Sequence, residues 1–433
     1  IKTAFPIPDA TPKFIMDKVE QLAAYMPPMV YCKMDNIVSP TGAEAEGWLI
    51  SVGGTPKEML SRSPEFTYRR LLHAAKIAEK LGAQIMGLGA FTKVVGDAGV
   101  TVARRARLPI TTGNSYSASG ALWAAADAMR RMGLVKIDPK TGKVAAKTMV
   151  IGAGGSIGSV SARLLAMSFD EVYLAGLTLD KLDKLKASIL KDTPDAKVFT
   201  TTSYDDVLGD MDMIVTATSG AGKSVLDITK VKPGCVITDV ARPLDLPASE
   251  VAKRPDVLVI ESGEIELPTK VHGMKNIGLP NNVIYACLAE TIVLALEGRF
   301  EVFTIGRDTE WEKVKEIYKL GLKHGMKLAA ISGVNGVFTD EAIAKVVTLA
   351  KKARLTWKGG SAAKAAKAPA KPKAAKKAAA PKPAAAKKAA PKKSPAKKAA
   401  PAKATKAAAP AEPAAAKPAR KTPARKAAAK KPA

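Results

Sequence analysis

Residues 152–158 bring four glycines and a serine together at a spacing that suits a bound phosphate. They follow an apolar run at 148–151 that is fit for a buried strand. Glycines at such a turn permit tight bending and remove the Cβ atoms that would keep a phosphate away from backbone amides. A helix begins next, and its unpaired N–H groups favour an anion. The predicted pyrophosphate loop consists of Gly152, Gly154, Gly155, Ser156, Ile157 and Gly158.

The spacing of this loop is G-x-G-G-x-x-G, and Ile157 stands where the stricter G-x-G-x-x-G pattern requires glycine. A purely structural βα turn can look the same, so the surrounding pattern matters. Further strands are predicted at 171–177, 210–219 and 234–241. This βαβ context favours a dinucleotide-binding domain and hence a nicotinamide oxidoreductase.

The type of nicotinamide cofactor depends on the strand end at 175–178, which carries no carboxylate for the ribose hydroxyls. Lys181 and Lys184 could meet a 2′-phosphate, although a solvated helix face explains both lysines equally well. We expect NADP(H), with NAD(H) as the alternative. The cofactor site is expected to include three residues that follow strands, namely Thr178, Thr218 and Asp239, and Arg242 lies near the last of them.

Cys287 is a candidate nucleophile because it lies near the start of a predicted apolar helix over 281–298. A buried core cysteine is the common alternative. Tyr285 and Glu290 place polar groups beside it on an otherwise apolar segment. A thiolate near a helix N-terminus is stabilised there and becomes nucleophilic.

The elements around these residues predict an α/β fold. An N-terminal α/β substrate domain is expected over 1–146 and a Rossmann-type, doubly wound dinucleotide-binding domain over 147–280. Helices that pack back on the body are expected over 281–357. The strongest helical patterns in the N-terminal domain are 65–82 and 116–133.

Residues 358–433 form a tail rich in Lys, Ala and Pro. The last 75 residues hold 22 of the 68 Lys and Arg but only one acid, Glu412, so they carry most of the net charge of +28. Such a sequence has little to bury and is expected to be disordered. It resembles the tails of linker histones and would bind nucleic acid or another polyanion without sequence specificity. Recruitment of an acidic partner and simple solubilisation are the alternatives.

The three cysteines, Cys32, Cys235 and Cys287, form no metal or disulfide pattern, which suits a reducing compartment. The sequence contains no apolar run long enough for a membrane span. We expect a cytoplasmic protein, with association to the nucleoid through the tail as an option.

Several segments resemble long-chain acyl-[acyl-carrier-protein] reductases, which are NADPH-dependent and form fatty aldehydes. The resemblance covers roughly residues 27–331 and lies in LGAFTKVV (88–95), LPITTGNSYSAS (108–119), IGAGGSIGSVSARLL (151–165), IYACLAETIVLALEG (284–298), IGRDTEWEKVKEI (305–317) and LKHGMKLAA (322–330). The motifs TTGN and ACxAE are more specific than the glycine loop. The family's strand-end arginine falls on Leu177, and the basic tail has no counterpart.

The resemblance implies that Cys287 accepts the acyl group from a thioester of acyl carrier protein or coenzyme A, before reduction to the aldehyde. Thr112, Asn114 and the amides around Gly113 are then candidate donors to the oxyanion. Asn114 or Ser115 could instead cap a helix that begins near residue 116. His324 is a candidate proton donor to the leaving thiol, with capping of a helix C-terminus as the alternative.

Two other functions stay open at this point. One is a shikimate- or quinate-type alcohol dehydrogenase, although the sequence shows no clear Lys/Asp pair for a hydroxyl substrate. The other is a polyanion-binding scaffold with an inert reductase core.

Overall fold

The computed structural model describes residues 12–89, 96–218, 224–241, 243–261 and 263–359. The chain divides into two units, residues 1–369 and 370–433, and all described residues lie in the first. Arg242, most of the 88–95 segment and nearly all of the predicted tail lie outside the described residues. The domain boundaries predicted from the sequence stay predictions.

An eight-stranded sheet organises the second half of the fold, and its last six strands in the spatial order given below are parallel. In spatial order the strands are β15 (Gly336–Val337), β14 (Ser332–Gly333), β10 (Leu258–Glu261), β9 (Val236–Asp239), β8 (Met213–Thr216), β5 (Val144–Ile151), β6 (Phe169–Ala175) and β7 (Lys197–Thr201). The strand order reverses at β5, because the chain passes to β6 on one side and later to β8 on the other. This is the doubly wound arrangement that the sequence predicts.

The central strands are apolar on both sides. The longer helices pack on one face of the sheet, and short helices and loops cover the other. Helix α6 (Ser156–Ser168) follows β5 directly, and α7 (Leu179–Asp192) connects β6 to β7. The four-residue helix α8 (Ala248–Val251) precedes β10. The predicted strand at 148–151 and the helix start at Ser156 are therefore confirmed.

The N-terminal part contains a β-hairpin and a second small sheet. Its elements are α1 (Lys13–Ala23), β1 (Met29–Val38), β2 (Glu44–Ser51), α2 (Pro56–Ser61), α3 (Pro64–Lys80), β3 (Met86–Gly87), α4 (Val100–Arg105) and β4 (Ile110–Thr111). Strands β1 and β2 are antiparallel, whereas β3 and β4 are parallel. Helix α3 confirms the helix predicted at 65–82.

Helix α5 (Asn114–Met132) joins the two halves of the fold, and 13 of its residues are buried. Its small side chains allow close approach of its neighbours: a Cβ built on Gly120 would lie 3.5 Å from Ala286 Cβ, in ordinary van der Waals contact. The far end of α5 packs on the large sheet through Ala125, Ala128 and Met132. Its near end packs with the apolar residues of 284–317.

The segment 281–298 is not one continuous helix, as the sequence pattern predicted. It contains strand β12 (Val283–Tyr285) and then helix α9 (Ala286–Leu296). Asn282 adopts a positive φ of 67°, and β12 pairs with β11 (Glu264–Glu266), which also pairs with β13 (Lys327–Leu328). Pairing with β11 therefore overrides the local helical pattern, and the helix begins one residue before Cys287.

Helices were expected over 281–357, and this range contains α10 (Trp311–Lys323) and α11 (Asp340–Arg354) in addition to α9. Trp357 follows α11 and donates a hydrogen bond from Nε1 to the carbonyl of Gly209 at 3.1 Å. This contact holds the end of the described chain against the large sheet domain. Within the described ranges, none of the helices is long and apolar enough to cross a bilayer.

Candidate active site

Cys287 is the second residue of α9, and Tyr285 precedes the helix in an extended conformation. The backbone N–H of Ala286 donates to the carbonyl of Gly263 at 2.6 Å, which fixes the first turn to the neighbouring loop. Cys287 is 8% exposed. Cys287 therefore lies in the first turn of α9, where the backbone amides lack intrahelical partners.

Gly113 lies directly against the backbone of Cys287. A Cβ at Gly113 would lie 2.6 Å from the Cys287 carbonyl carbon, which no side chain tolerates. Gly113 also has φ +70°, a conformation that costs other residues about 1–2 kcal/mol. Glycine is thus required here for two reasons, and it brings the TTGN and ACxAE motifs into contact.

The two threonines of TTGN are held by Thr304. The Thr304 carbonyl accepts from the Thr112 backbone N–H at 2.8 Å and from the Thr112 hydroxyl at 3.2 Å. The Thr304 N–H donates to the Thr111 hydroxyl at 3.1 Å. The only hydroxyl hydrogen of Thr112 is directed at the Thr304 carbonyl, which favours a role for Thr112 in positioning the loop.

Neither Asn114 nor Ser115 caps α5, which corrects the alternative considered from the sequence. The helix begins at Asn114, and Gly113 is the N-cap residue without a side-chain bond. The Ser115 hydroxyl instead bonds the Thr304 hydroxyl at 2.8 Å. The start of α5 is therefore stabilised from outside the helix.

Glu290, one turn after Cys287, supplies that stabilisation. Its carboxylate is fully buried and accepts from the Thr111 hydroxyl at 2.5 Å and from the Tyr116 backbone N–H at 3.0 Å. Tyr116 is the third residue of α5, so its N–H has no partner within the helix. One carboxylate thus fixes β4 and the start of α5 to the helix that bears Cys287.

Asn114 connects this loop to the predicted cofactor loop. Its side-chain Nδ2 lies 3.5 Å from Ser156 Oγ at the start of α6, and Ser156 Oγ in turn bonds the Thr309 hydroxyl at 2.5 Å. Asn114 is 6% exposed. The residue after Gly113 therefore reaches the dinucleotide loop, so two predicted sites are neighbours in space.

The glycine loop has the geometry expected for a pyrophosphate. Gly152 adopts φ +87°, and a Cβ there would lie 2.7 Å from the Ala217 carbonyl oxygen. A Cβ at Gly158 would overlap the Gly152 backbone, so its absence lets α6 pack on β5. Gly154 is exposed, and nothing lies within 4 Å of a Cβ built on it. The Gly155 N–H donates to the Gly152 carbonyl at 2.9 Å and closes the turn. Together with the first-turn amides of Ser156 and Ile157, the open backbone at Gly154 fits a bound phosphate.

Thr218 and Asp239 lie at the carboxyl ends of β8 and β9, as the sequence predicts, and both hold loops. Thr218 donates to the Asp245 carboxylate from its N–H at 3.0 Å and from its hydroxyl at 2.5 Å. Asp239 accepts from the backbone N–H groups of Ala241 and Leu246, each at 3.0 Å. Burial raises the pKa of Asp239 to about 6, and it raises the pKa of Asp245 as well.

The end of β6 is open. Leu177 is fully exposed, and Thr178 precedes α7 without a side-chain cap bond. Lys184 forms an exposed ion pair with Asp180 at 2.7 Å, whereas Lys181 is exposed on the first turn of α7. These positions leave both possible nicotinamide cofactors compatible with the strand end.

Among the described residues, no hydrogen bond connects His324 with Cys287. It ends α10 and is 1% exposed. Its Nδ1 lies 3.0 Å from Ser39 Oγ, and its Nε2 lies 2.6 Å from Glu297 Oε2. Hydrogen bonds from Lys323 and His324 lower the pKa of Glu297. These contacts favour the structural alternative, in which His324 ties the end of α10 to the end of α9 and the β1–β2 turn.

Sequence reasoning did not find Thr111, Thr304 or Thr309. The first is part of TTGN and the last belongs to the segment 305–317, so both lie in stretches that carry the family resemblance. No sequence pattern points to Thr304, because it accepts the hydrogen bonds of Thr112 through its backbone carbonyl, and every residue has such a carbonyl.

Comparison with known proteins supports the cofactor assignment. Residues 148–226 match the saccharopine dehydrogenase NADP binding domain. The chain is 33% identical over 294 residues to aminotransferase PigE of Serratia sp., but this match covers 67% of the chain and only a third of that protein's length. It is 26% identical over 320 residues to the long-chain acyl-[acyl-carrier-protein] reductase of Synechococcus elongatus, covering 71% of this chain and 89% of that one.

Among solved structures, the quinate dehydrogenase of Corynebacterium glutamicum in complex with NAD is similar at 15% identity, covering 57% of this chain and 81% of that chain, with a TM-score of 0.29. The shikimate dehydrogenase of Mycobacterium tuberculosis is similar at 15% identity over 48% of this chain and 62% of that chain, with a TM-score of 0.26.

The doubly wound sheet, the glycine loop and the matched domain define an NAD(P)-binding oxidoreductase. The similarity to an acyl-[acyl-carrier-protein] reductase is distant.

Proposed function

We propose that this protein reduces a fatty acyl thioester to the aldehyde, with Cys287 as the nucleophile and NADPH or NADH as the reductant. The observation that carries the proposal is the continuous contact from Cys287 through Gly113 and Asn114 to Ser156. These contacts support the proposal, because they join a cysteine, a side-chain amide and the glycine loop. The resemblance in TTGN and ACxAE supports the same assignment.

In the first step, the Cys287 thiolate attacks the carbonyl carbon of the acyl thioester. A new C–S bond forms, the bond to the carrier sulfur breaks, and the carrier leaves as a thiolate that takes a proton from solvent. The product is an acyl group on Cys287. The first-turn amides of α9 stabilise the thiolate before attack.

Asn114 is the proposed donor to the oxygen of the reacting carbonyl. Its contact with Ser156 is long at 3.5 Å, so its amide hydrogens can turn toward a developing negative charge. Gly113 keeps this loop against Cys287, and Glu290 holds the start of α5 in place. Thr112 contributes to the position of the loop through Thr304 rather than to the oxyanion.

The residues proposed to hold the dinucleotide are those of the glycine loop, 152–158, with Thr178 and Thr218 at neighbouring strand ends. When bound, the nicotinamide supplies the hydride that reduces the thioester. Collapse of the hemithioacetal on Cys287 then breaks its C–S bond, releases the aldehyde and returns the thiolate.

Intact-mass spectrometry after incubation with hexadecanoyl-CoA, without nucleotide, tests this proposal. We expect one hexadecanoyl adduct on the wild-type protein and none on Cys287→Ser. NADPH or NADH should discharge the adduct as aldehyde, which also shows the cofactor used.

Cys235→Ala is the matched control, because Cys235 is also a free, buried cysteine and burial raises the pKa of its thiol. This variant should keep the adduct. The proposal fails if the folded wild-type protein forms no adduct, or if Cys287→Ser is acylated as fast as the wild type.

A further inference from the structure

Helix α1 (Lys13–Ala23) turns a group of large apolar side chains to solvent. Phe14 is 69% exposed and Leu22 is 71% exposed. Ile15 and Tyr25, the second residue after the helix, are exposed as well. Single exposed apolar residues are normal on a protein surface, whereas a contiguous group of them marks a site of interaction. These four residues are called the outward face below.

The helical repeat brings these residues to one side of α1. Phe14 and Leu22 are eight residues apart and Ile15 and Leu22 are seven apart, intervals at which helical residues recur on one face. Tyr25 continues the turn, because its N–H donates to the Leu22 carbonyl at 2.9 Å. Lys18 is exposed and lies one turn after Phe14 and one turn before Leu22. The outward face is therefore a continuous apolar strip that includes one cation.

The opposite side of α1 attaches the helix to the body. Ala23 is buried, and Met16 and Val19 are half-buried. The two acidic residues of the helix, Asp17 and Glu20, are also half-buried. Helix α1 thus packs on the body through one apolar side and presents a second apolar side to solvent, which its packing on the described body does not explain.

Contacts after the helix hold the outward face on the body. The Arg62 guanidinium donates to the Tyr25 hydroxyl at 2.6 Å, and the Tyr25 ring meets the Phe66 ring edge-on at 5.7 Å between centroids. Gly53 lies against the helix end, since a Cβ there would lie 2.6 Å from the Ala23 carbonyl oxygen. The end of the outward face is therefore tied to α2, α3 and the segment after β2.

The size of the outward face favours a bilayer over a second copy of the chain. A helix of 11 residues is about 16 Å long and about 10 Å wide, so its outline covers roughly 160 Å². A stable protein interface buries about 800 Å² on each partner. A bilayer requires no such area, because each apolar side chain that enters the acyl region adds to the binding by itself.

The charge of the chain favours an anionic surface. Lys18 adds a cation to the outward face, and the chain carries a net charge of +28. The last 75 residues hold 22 Lys and Arg and thus most of this charge. Stable attachment to a membrane takes two signals, and an apolar insertion with a polybasic segment is one such pair. A nucleic acid would neutralise the cations but would leave the apolar side chains at solvent.

We propose that the outward face docks on an anionic phospholipid surface, with Phe14, Ile15 and Leu22 below the head groups and Lys18 among them. Tyr25 lies at the boundary with water, which suits its apolar ring and its polar hydroxyl. The docking uses neither Cys287 nor the glycine loop, so it is independent of the proposed function.

Co-sedimentation with vesicles tests the docking in the full-length protein. The vesicles contain three parts phosphatidylcholine and one part phosphatidylglycerol, and binding is measured at about 0.15 M and about 0.5 M NaCl. The outward-face variant is Phe14→Ser with Leu22→Ser. The matched control is Ile137→Ser with Leu355→Ser, at two exposed apolar residues elsewhere. All three proteins keep the same C-terminal tail, so its charge acts equally in each.

We expect the outward-face variant to bind about tenfold more weakly than the wild type at the higher salt concentration, where the charge of the tail is screened. The control variant should match the wild type, and urea unfolding should show the same midpoint for all three proteins. Equal vesicle binding by the three proteins, or complete release of the wild type at the higher salt concentration, would overturn the proposal.

Sedimentation velocity without vesicles tests the rival occupant, a second copy of the chain. We expect the wild type and the outward-face variant to have the same oligomeric state. A wild-type dimer that dissociates only in the outward-face variant would assign the face to a protein interface and would overturn docking on lipid.

Discussion

Gly113 and Cys287 are in direct backbone contact, with no space for a side chain between them. The contact joins a loop before α5 to the first turn of α9, although the two residues are far apart in the chain. The position of the reactive sulfur therefore depends on a residue without a side chain.

Gly113→Ala tests this contact. The substitution combines a strained φ with a clash at the Cys287 carbonyl carbon, so we expect lower stability and slower acylation of Cys287. Gly133→Ala is the matched control, because Gly133 has a similar φ of +62° and nothing within 4 Å of its Cβ position. The control should lose about 1 kcal/mol in urea unfolding. Equal losses in the two variants, with unchanged acylation, would contradict a role for the contact.

Glu290→Gln should lower the free energy of unfolding by about 1–3 kcal/mol, because an amide cannot accept both hydrogen bonds that the carboxylate accepts. The partners are the Thr111 hydroxyl and the Tyr116 N–H. A double-mutant cycle with Thr111→Val, measured by urea unfolding, isolates one of them. Strict additivity of the two substitutions would argue against the bond.

Asn114→Ala should reduce kcat for thioester reduction by about 10²–10³-fold if its amide donates to the oxyanion. Thr112→Val is the informative comparison, since the Thr112 hydroxyl is bound to the Thr304 carbonyl. That variant should lose stability but retain most of the kcat. Titration of NADPH by fluorescence shows whether either variant still binds the cofactor, and a similar kcat loss in both would reject the distinction.

Leu177→Arg should shift the cofactor preference toward NADPH. The side chain is fully exposed at the end of β6, so the substitution removes no packing, and a cation there would meet a 2′-phosphate. We expect the ratio of KM values for NADH and NADPH to rise about tenfold. Leu355→Arg, at another exposed leucine, is the control. An unchanged ratio of the two KM values would show that the 2′-phosphate of NADPH does not bind near residue 177.

The pH dependence of stability should report on Asp239. Its pKa is raised from 3.8 to about 6 by burial, so the folded state binds this proton more tightly than the unfolded state. The corresponding stability is fully present below about pH 4 and is lost as the pH rises through about 6. Relative to Asp239→Asn, the wild type should lose roughly 3 kcal/mol over this range. Urea unfolding at several pH values measures the difference, and parallel pH profiles of the two proteins would show that the pKa is not raised.

Local pattern was enough to predict much of the fold. The apolar run before Gly152 predicted β5, and the periodicity of 116–133 predicted α5, because both elements bury faces that repeat along the chain. Local pattern failed at 281–298, where Val283, Ile284 and Tyr285 suit either a helix or a strand. Their pairing with β11, a segment some 20 residues earlier, selected the strand.

The sequence by itself determined the glycine loop, which depends on residue types within a short segment, and the doubly wound class, which depends on strands and helices that alternate along the chain. Cys287 as the nucleophile stays a prediction. Only the tertiary structure decided which side chains meet. Thr112 bonds a carbonyl 192 residues away, and Glu290 reaches an N–H 174 residues away. Such pairs depend on how α5 and α9 pack, and packing of small residues against backbone leaves no periodic signal in the chain.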